Sequence, residues 1–484
     1  MTASPQSSNS LTAAFPSFRS VSPLPSLLRS AAASSSSSLS SLFQFTSAEI
    51  DPQYSTSDEV RSHQSIITQA FSPTVAVIAS RECEEVIHEK GFTNFLDLIR
   101  PFGDRVQGKV NIRDSQALSI PVEDFSMKFV DFQLLAQSTT NGREEHGPYA
   151  PKRTTPAYIS GGDLAAIERV LEGYAEEANT EYEEGSEGSG AGLYSYFLRK
   201  VLSGMPLSAH ETFSHPVACV LAVSTRHPEP IDALLGLYNT TNNAPIPRYI
   251  DAGFLRYYVL IHHEDKDDID KYLPITFPFS LFRILADATR SNTILEKMKR
   301  SLGLHCTLLR LSSTPSKDTT PLSKSIWLSA GEELLSLSNP TPLPNISSFD
   351  REALIKFTRD LATQSIIPHM ERCISTWNDQ IASYRRGLAG RVFTASRRLF
   401  SSSSRSATPT SGTGNYDVSS SSYSPATPEA QMRKLADYAF MLRDFRLAHS
   451  TYDIVRKDFV NDKAWKYAAG AQVHPHLLSI CFSD

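Results

Sequence analysis

Val217-Ala218-Cys219-Val220-Leu221-Ala222-Val223 sets seven apolar residues in succession. A run this short, without helical spacing, reads as a strand covered on both faces. Thr74-Val75-Ala76-Val77-Ile78-Ala79 and Tyr257-Tyr258-Val259-Leu260-Ile261 have the same character. Each run is followed by a helical pattern. Val86, Phe92, Phe95, Leu96 and Ile99 give the period within Glu82 to Ile99, and Ile231, Leu234, Leu235 and Leu237 give it behind Pro230. Ile294 to Leu302 supplies a third helix before Leu304 to Leu311 returns to strand. Strands and helices in alternation predict an α/β fold with a mostly parallel sheet.

The 484 residues carry a formal net charge of -5, too little basic excess for sequence-independent nucleic-acid binding. Cys83, Cys219, Cys306, Cys373 and Cys481 form no CxxC pair, so neither a disulfide framework nor a zinc knuckle is indicated and a reducing cytosol fits best. No apolar run reaches spanning length, since Pro274, Pro278 and Arg283 interrupt the longest, Tyr272 to Leu285. The first 48 residues hold Arg19 and Arg29 among serines with no Asp or Glu. That is also how a mitochondrial transit peptide is composed, but homopolymeric serine such as Ser34 to Ser38 favours a disordered tail over 1–66.

Residues 67–320 are expected to form the α/β domain, interrupted by a disordered, solvated insertion over 137–192. There Glu172, Glu176, Glu177, Glu181, Glu183, Glu184 and Glu187 precede a Gly/Ser tract. A Ser/Thr/Pro-rich linker over 321–346 leads to a helical segment over 347–383, with Ser347 and Ser348 as caps and a break at Pro368. After a disordered linker over 401–428, Glu429 to Arg443 and Arg446 to Phe459 have the spacing of a TPR-like helical hairpin within 429–484. A lone unit cannot bury its own face, so this hairpin reads as the start of a truncated solenoid.

Catalytic and ligand motifs fail on inspection. Behind the first strand, Ser80-Arg81-Glu82-Cys83-Glu84-Glu85 offers no glycine and no lysine to a phosphate, and its carboxylates repel one. His210 and His215 stand five apart, about 140° around a helix, so they do not share a metal face. His262-His263-Glu264-Asp265-Lys266-Asp267-Asp268 lacks the glycine and terminal glutamate of a calcium loop. No catalytic residue, cofactor, metal or small-molecule substrate is indicated.

Tyr384 to Phe400 stands apart. Tyr384, Leu388, Val392, Ala395 and Leu399 fall within an arc of roughly 80°, extended by Phe393 and Phe400. Arg386, Arg391, Arg397 and Arg398 occupy the opposite half, Arg385 intrudes on the apolar one, and no acid lies between Asp379 and Asp417. This is the pattern of a basic amphipathic helix over 384–400 that lies on an anionic membrane, the alternative being an ordinary helix packed on the α/β domain, since Gly387 and Gly390 weaken an isolated helix. Its membrane-binding residues are then Arg385, Arg386, Leu388, Arg391, Val392, Phe393, Arg397, Arg398, Leu399 and Phe400.

Five blocks carry a family resemblance: Ser208 to Cys219, Tyr257 to His262, Met298 to Cys306, Met432 to Asp444 and Asn461 to Tyr467. They resemble the TRAPP complex III-specific large subunit family, in blocks from about Phe71 to Gln472. The resemblance implies a GTPase-like, Rossmann-like domain without a working nucleotide site, followed by an α-solenoid. It further implies a non-catalytic part in a Rab guanine-nucleotide exchange complex of ER-Golgi transport and autophagy, peripheral on early Golgi and pre-autophagosomal membranes. Its partners would be TRAPP core subunits and, through them, an early-secretory Rab GTPase. Two departures stand out: the Tyr272 to Arg290 stretch, and the residues after Gln472, which suggest a truncated gene model or short isoform. A degenerate α/β enzyme or GTPase-like protein is the alternative.

Overall fold

The structure, a computed structural model, describes residues 64–137, 164–181, 189–203, 207–264, 277–312, 318–338, 343–386 and 415–481. After a short helix over residues 64–70 the chain forms β1 (Thr74–Ala79), α1 (Arg81–Glu89) and α2 (Phe95–Gly103). A two-stranded hairpin follows, β2 (Val110–Arg113) and β3 (Ser119–Val122), then β4 (Lys128–Asp131) and α3 (Phe132–Gln137). Next come α4 (Leu164–Glu181), α5 (Ser189–Ser203), β5 (Pro216–Ser224), α6 (Pro230–Asn243), β6 (Leu255–Glu264), α7 (Phe277–Leu302) and β7 (Cys306–Ser312). The central sheet has the order β4-β1-β5-β6-β7, and all its pairings are parallel. Counting only its own strands this is the order 2-1-3-4-5 of one doubly wound class, with a topological switch point between β1 and β5.

Alternation along the strands divides the apolar side chains between two faces. Val75, Val77, Val220, Ala222, Val259, Ile261, Leu309 and Leu311 enter the larger core, whereas Ala76, Cys219, Leu221, Val223 and Leu260 enter a second one beneath α6 and α7. All nine residues of β5 are buried, as a central parallel strand requires. Gly103 lets α2 approach β4, for a Cβ there would stand 2.5 Å from the Met127 carbonyl oxygen and 2.7 Å from the Phe129 ring. Gly103→Ala should therefore destabilise the chain by about 1–3 kcal/mol through overpacking. Urea denaturation checks this.

Several elements differ from the sequence expectation. The helical pattern of Glu82 to Ile99 is two helices, because Gly91 adopts φ +85° and the Asn94 side chain caps α2 by accepting from the Asp97 N–H. Helix α7 starts at Phe277, well before Ile294. Within the stretch expected to be a solvated insertion, Leu164–Glu181 is helical, and its Ala166, Ile167 and Val170 are buried against Tyr196 of α5 and Ala330 of α8 (Ala330–Ser338). The acidic composition masked that apolar stripe.

A small antiparallel pair, β8 (Thr319–Pro321) and β9 (Asn345–Ser347), precedes α9 (Ser348–Asp360). Ser347 caps α9 by accepting from the Asp350 N–H at 3.1 Å. No break falls at Pro368: a π-helical turn, Leu361–Ile366, joins α9 to α10 (Ile367–Arg386), and Ile367 N–H reaches Ala362 O. The widened turn absorbs the bond and the space that proline denies. The pair β10 (Tyr416–Asp417) and β11 (Ser422–Tyr423) then leads into α11 (Pro428–Met441), α12 (Phe445–Asn461) and α13 (Trp465–Cys481). Met432, Leu435, Ala436, Tyr438, Ala439, Phe440 and Met441 are all buried, so α11 is enclosed nearly all round. Its neighbours include the sheet domain.

Candidate functional site

In an open doubly wound sheet a ligand sits outside the carboxyl ends of the strands, at the switch point. Here that edge is crossed by α1. Ser80, at the end of β1, donates its N–H to Ala222 O of β5 at 2.8 Å, and its hydroxyl accepts from the Cys83 N–H to start the helix. At the far end of α1, Glu89 takes both guanidinium nitrogens of Arg226, which follows β5, at 2.6 and 2.8 Å. Arg226 also reaches His263 of β6 at 3.2 Å. Lys90 donates to the Ser312 carbonyl of β7 and to Asp350. One helix thus ties the carboxyl ends of β1, β5, β6 and β7 together, and Glu82 and Glu84 lie in its first turn. Hydrogen bonding to Arg226 holds Glu89 below the usual carboxylate range. A phosphate at this edge would meet carboxylates and a filled guanidinium.

The opposite side of the domain carries a second constellation. Loop residues Glu211 and Thr212, just ahead of β5, face Arg433 and Asp437 of α11. Arg433 donates from Nε to Asp437 Oδ1 at 2.9 Å and from Nη2 to Glu211 Oε1 at 3.4 Å. The Tyr452 hydroxyl of α12 donates to Asp437 Oδ1 at 2.5 Å, and the Thr212 hydroxyl donates to Oδ2. Arg433 is 1% exposed, so the group is a buried polar network and not a surface ion pair. Burial disfavours its cation, but Asp437 and Glu211 outweigh that and hold Arg433 above the ordinary arginine value. Burial likewise pushes the Glu211 carboxyl up.

Apolar contacts flank this network. Phe71, Phe213 and Phe440 pack tilted and edge-to-face as a triangle with centroids 4.7, 5.6 and 5.6 Å apart, and Thr74 of β1 donates to Phe213 O at 3.0 Å. Lys434 of α11 pairs with Asp251 at 2.7 Å and lies over Trp377 of α10. Asp444, in the α11–α12 turn, caps α12 with one oxygen and accepts the Ser115 N–H of the β2–β3 hairpin with the other, at 2.8 Å. Gly470 of α13 completes the packing, because a Cβ there would stand 3.1 Å from Arg433 and 3.4 Å from His210 O. The HETFSH loop is therefore a structural seam: His215 bonds Ser208 O at 2.8 Å and stacks on Tyr249, while His210 meets Tyr467 edge-on. Among the described residues no group of three His, Cys, Asp or Glu side chains is placed to hold a metal.

The family described as "ER-Golgi trafficking TRAPP I complex 85 kDa subunit" (TRAPPC-Trs85) matches residues 67–276 and 285–474, which take in the whole sheet, the seam and α11–α12. The chain belongs to this family. Transport protein particle subunit trs85-2 of Schizosaccharomyces pombe is 31% identical over 422 residues, which are 84% of this chain and 63% of that protein. Subunit trs85-1 of the same yeast is 28% identical over 474 residues, with 84% and 67% covered. Trafficking protein particle complex subunit 8 of Homo sapiens is 24% identical over 498 residues, 85% of this chain and 32% of the human one. The chain therefore spans under two thirds of trs85-2 and about a third of the human subunit. The gap in the TRAPPC-Trs85 match, between 276 and 285, falls inside the Tyr272 to Arg290 stretch that departs from the resemblance.

Of the residues expected to bind membrane, Arg385 and Arg386 end the backbone of α10, whereas Leu388, Arg391, Val392, Phe393, Arg397, Arg398, Leu399 and Phe400 lie outside the described residues. Among the described residues no helix is long and apolar enough to cross a membrane. Sequence reading missed the seam residues Arg433, Asp437 and Tyr452, although the two resembling blocks that meet there, Ser208 to Cys219 and Met432 to Asp444, were the available signal.

The seam makes stability depend on pH. Burial pushes His215 down to about 4 and His369 of α10 also to about 4, from an ordinary value of 6.5. Between those values these two imidazoles bind fewer protons in the folded chain than in the unfolded one, so the stability they contribute is fully present above pH 6.5 and is lost as pH drops toward 4. Glu211, raised by burial, acts in the opposite sense above its ordinary 4.5, as does Asp104, which burial pushes up to about 7. The melting temperature of His215→Gln should gain on that of the parent chain as pH falls from 7 to 5; a difference independent of pH would count against the buried neutral imidazole.

Proposed function

We propose that the chain is a non-catalytic subunit of a TRAPP III-like Rab guanine-nucleotide exchange complex in ER-Golgi vesicle transport and autophagy, contributing scaffolding and membrane attachment. One observation carries this reading: α1 lies across the carboxyl edge where a nucleotide would bind, with Glu82 in its first turn and Glu89 occupying Arg226. On this reading the α/β part is a GTPase-like relic turned to structural use, and α11–α13 begin a TPR-like solenoid. Small core subunits would do the exchange chemistry, acting on an early-secretory Rab GTPase. Residues 384–400 would attach the chain to anionic membrane on early Golgi and pre-autophagosomal surfaces, each arginine contributing about 1 kcal/mol near the headgroups.

Calorimetry of the full chain with GTP and with GDP should give no heat of binding. Micromolar affinity for either, lost on mutating Ser80 to Glu85, would overturn the non-catalytic reading. Flotation with phosphatidylserine liposomes should be salt-sensitive and should fall in Phe393→Asp plus Leu399→Asp, which leaves every arginine in place. Undiminished flotation of that double variant would reduce membrane binding to simple charge attraction.

A further inference from the structure

A trough of about 800 Å³ runs between the start of α6 and the middle of α7. Its floor includes Ile231 and Ile294, half-buried and continuous with the second core. One lip carries Glu229 and Asp232, the other Arg290 and Lys297, and all four are exposed. Among the described residues no ion pair joins the two lips. The acids instead crowd each other: hydrogen bonding and charge from Asp232 hold Glu229 above the usual carboxylate range. Among the described residues nothing covers this apolar floor, although opposite charges line the same trough.

We propose that this trough is a docking site for an amphipathic helix of a partner protein, with a basic flank toward α6 and an acidic flank toward α7. A third helix is the natural filling of a gap between two splayed helices, because its apolar ridge enters the groove they leave. Arg290 and Lys297 are seven residues apart, two helical turns or about 10.5 Å, the spacing at which acids at i and i+7 of a partner helix meet both. The opposed lips also fix direction. A helix inserted with its flanks exchanged would set acid against acid and base against base, which is how charge patterning selects among otherwise similar partners. The inference stands apart from the nucleotide and membrane readings, since none of its residues belongs to either.

The test is selection of displayed helical peptides on the purified full chain. The library is apolar at i, i+3, i+4 and i+7, with flanking positions free to be Lys, Glu or Ala. Enriched peptides should place Lys on one flank and Glu on the other, and should bind Ile294→Asp at least tenfold more weakly. On a chain carrying Glu229→Lys and Asp232→Lys both lips are basic, and the enriched peptides should carry Glu on both flanks. Both substitutions are on exposed side chains, so this variant keeps the test readable even where Ile294→Asp unfolds. Failure to enrich any patterned peptide, or the same flank preference on both chains, would overturn the proposal.

Discussion

Arg433→Met will destabilise the folded chain by about 3–5 kcal/mol, the usual cost of removing one partner of a buried ion pair. The reason is local. Asp437 is 1% exposed and would be left with only the Tyr452 and Thr212 hydroxyls to answer it. Glu211, already raised by burial, would lose the cation that favours its ionised form. Asp437→Leu alone should be similarly severe, because it strands Arg433. The double variant Arg433→Met, Asp437→Leu should cost less than the two single costs combined, by about 0.5–3 kcal/mol. Denaturant unfolding of the four proteins measures this, and strict additivity would show that the network is not coupled.

Phe440→Ala is expected to cost about 3–5 kcal/mol as well, by a different route. The ring is fully buried where α11 meets the residues before β1 and the loop before β5, within 5.6 Å of the Phe71, Phe213 and Phe445 centroids. Truncation leaves a cavity that two fixed backbones and a helix cannot close. Trp465→Ala removes a larger side chain, but that residue is 63% exposed. Its cost should stay within about 0.5 kcal/mol. If the two changes proved equal, burial at the seam would not be what holds α11 in place.

Strands were the most legible part of the chain. Val217 to Val223 lies wholly inside β5, and its alternation between two cores follows from side chains pointing to opposite faces. The path of α1 was not legible, because helical spacing reports which face of a helix is apolar and not where the helix lies. Nor was the π turn: a proline in a helical pattern signals a break or an accommodated kink, and only tertiary packing decides between them. The seam shows the limit most clearly. Arg433 and Asp437 are four apart, the ordinary pattern of an exposed helical ion pair. That Glu211, 222 positions away, closes the network is a fact of the fold and not of spacing.

A lone helical hairpin was expected to leave its face uncovered, yet α11 shares one contiguous apolar core with β1 and β5. Sheet and α11–α13 therefore form a single folding unit, joined through the Arg433 seam. Native-state hydrogen exchange at the amides of Val220 in β5 and Ala439 in α11 tests it most directly. Exchange of both amides only by global unfolding, with opening free energies within about 1 kcal/mol of each other, is the predicted result. Exchange of Ala439 through an opening several kcal/mol cheaper, with Val220 still protected, would contradict the account.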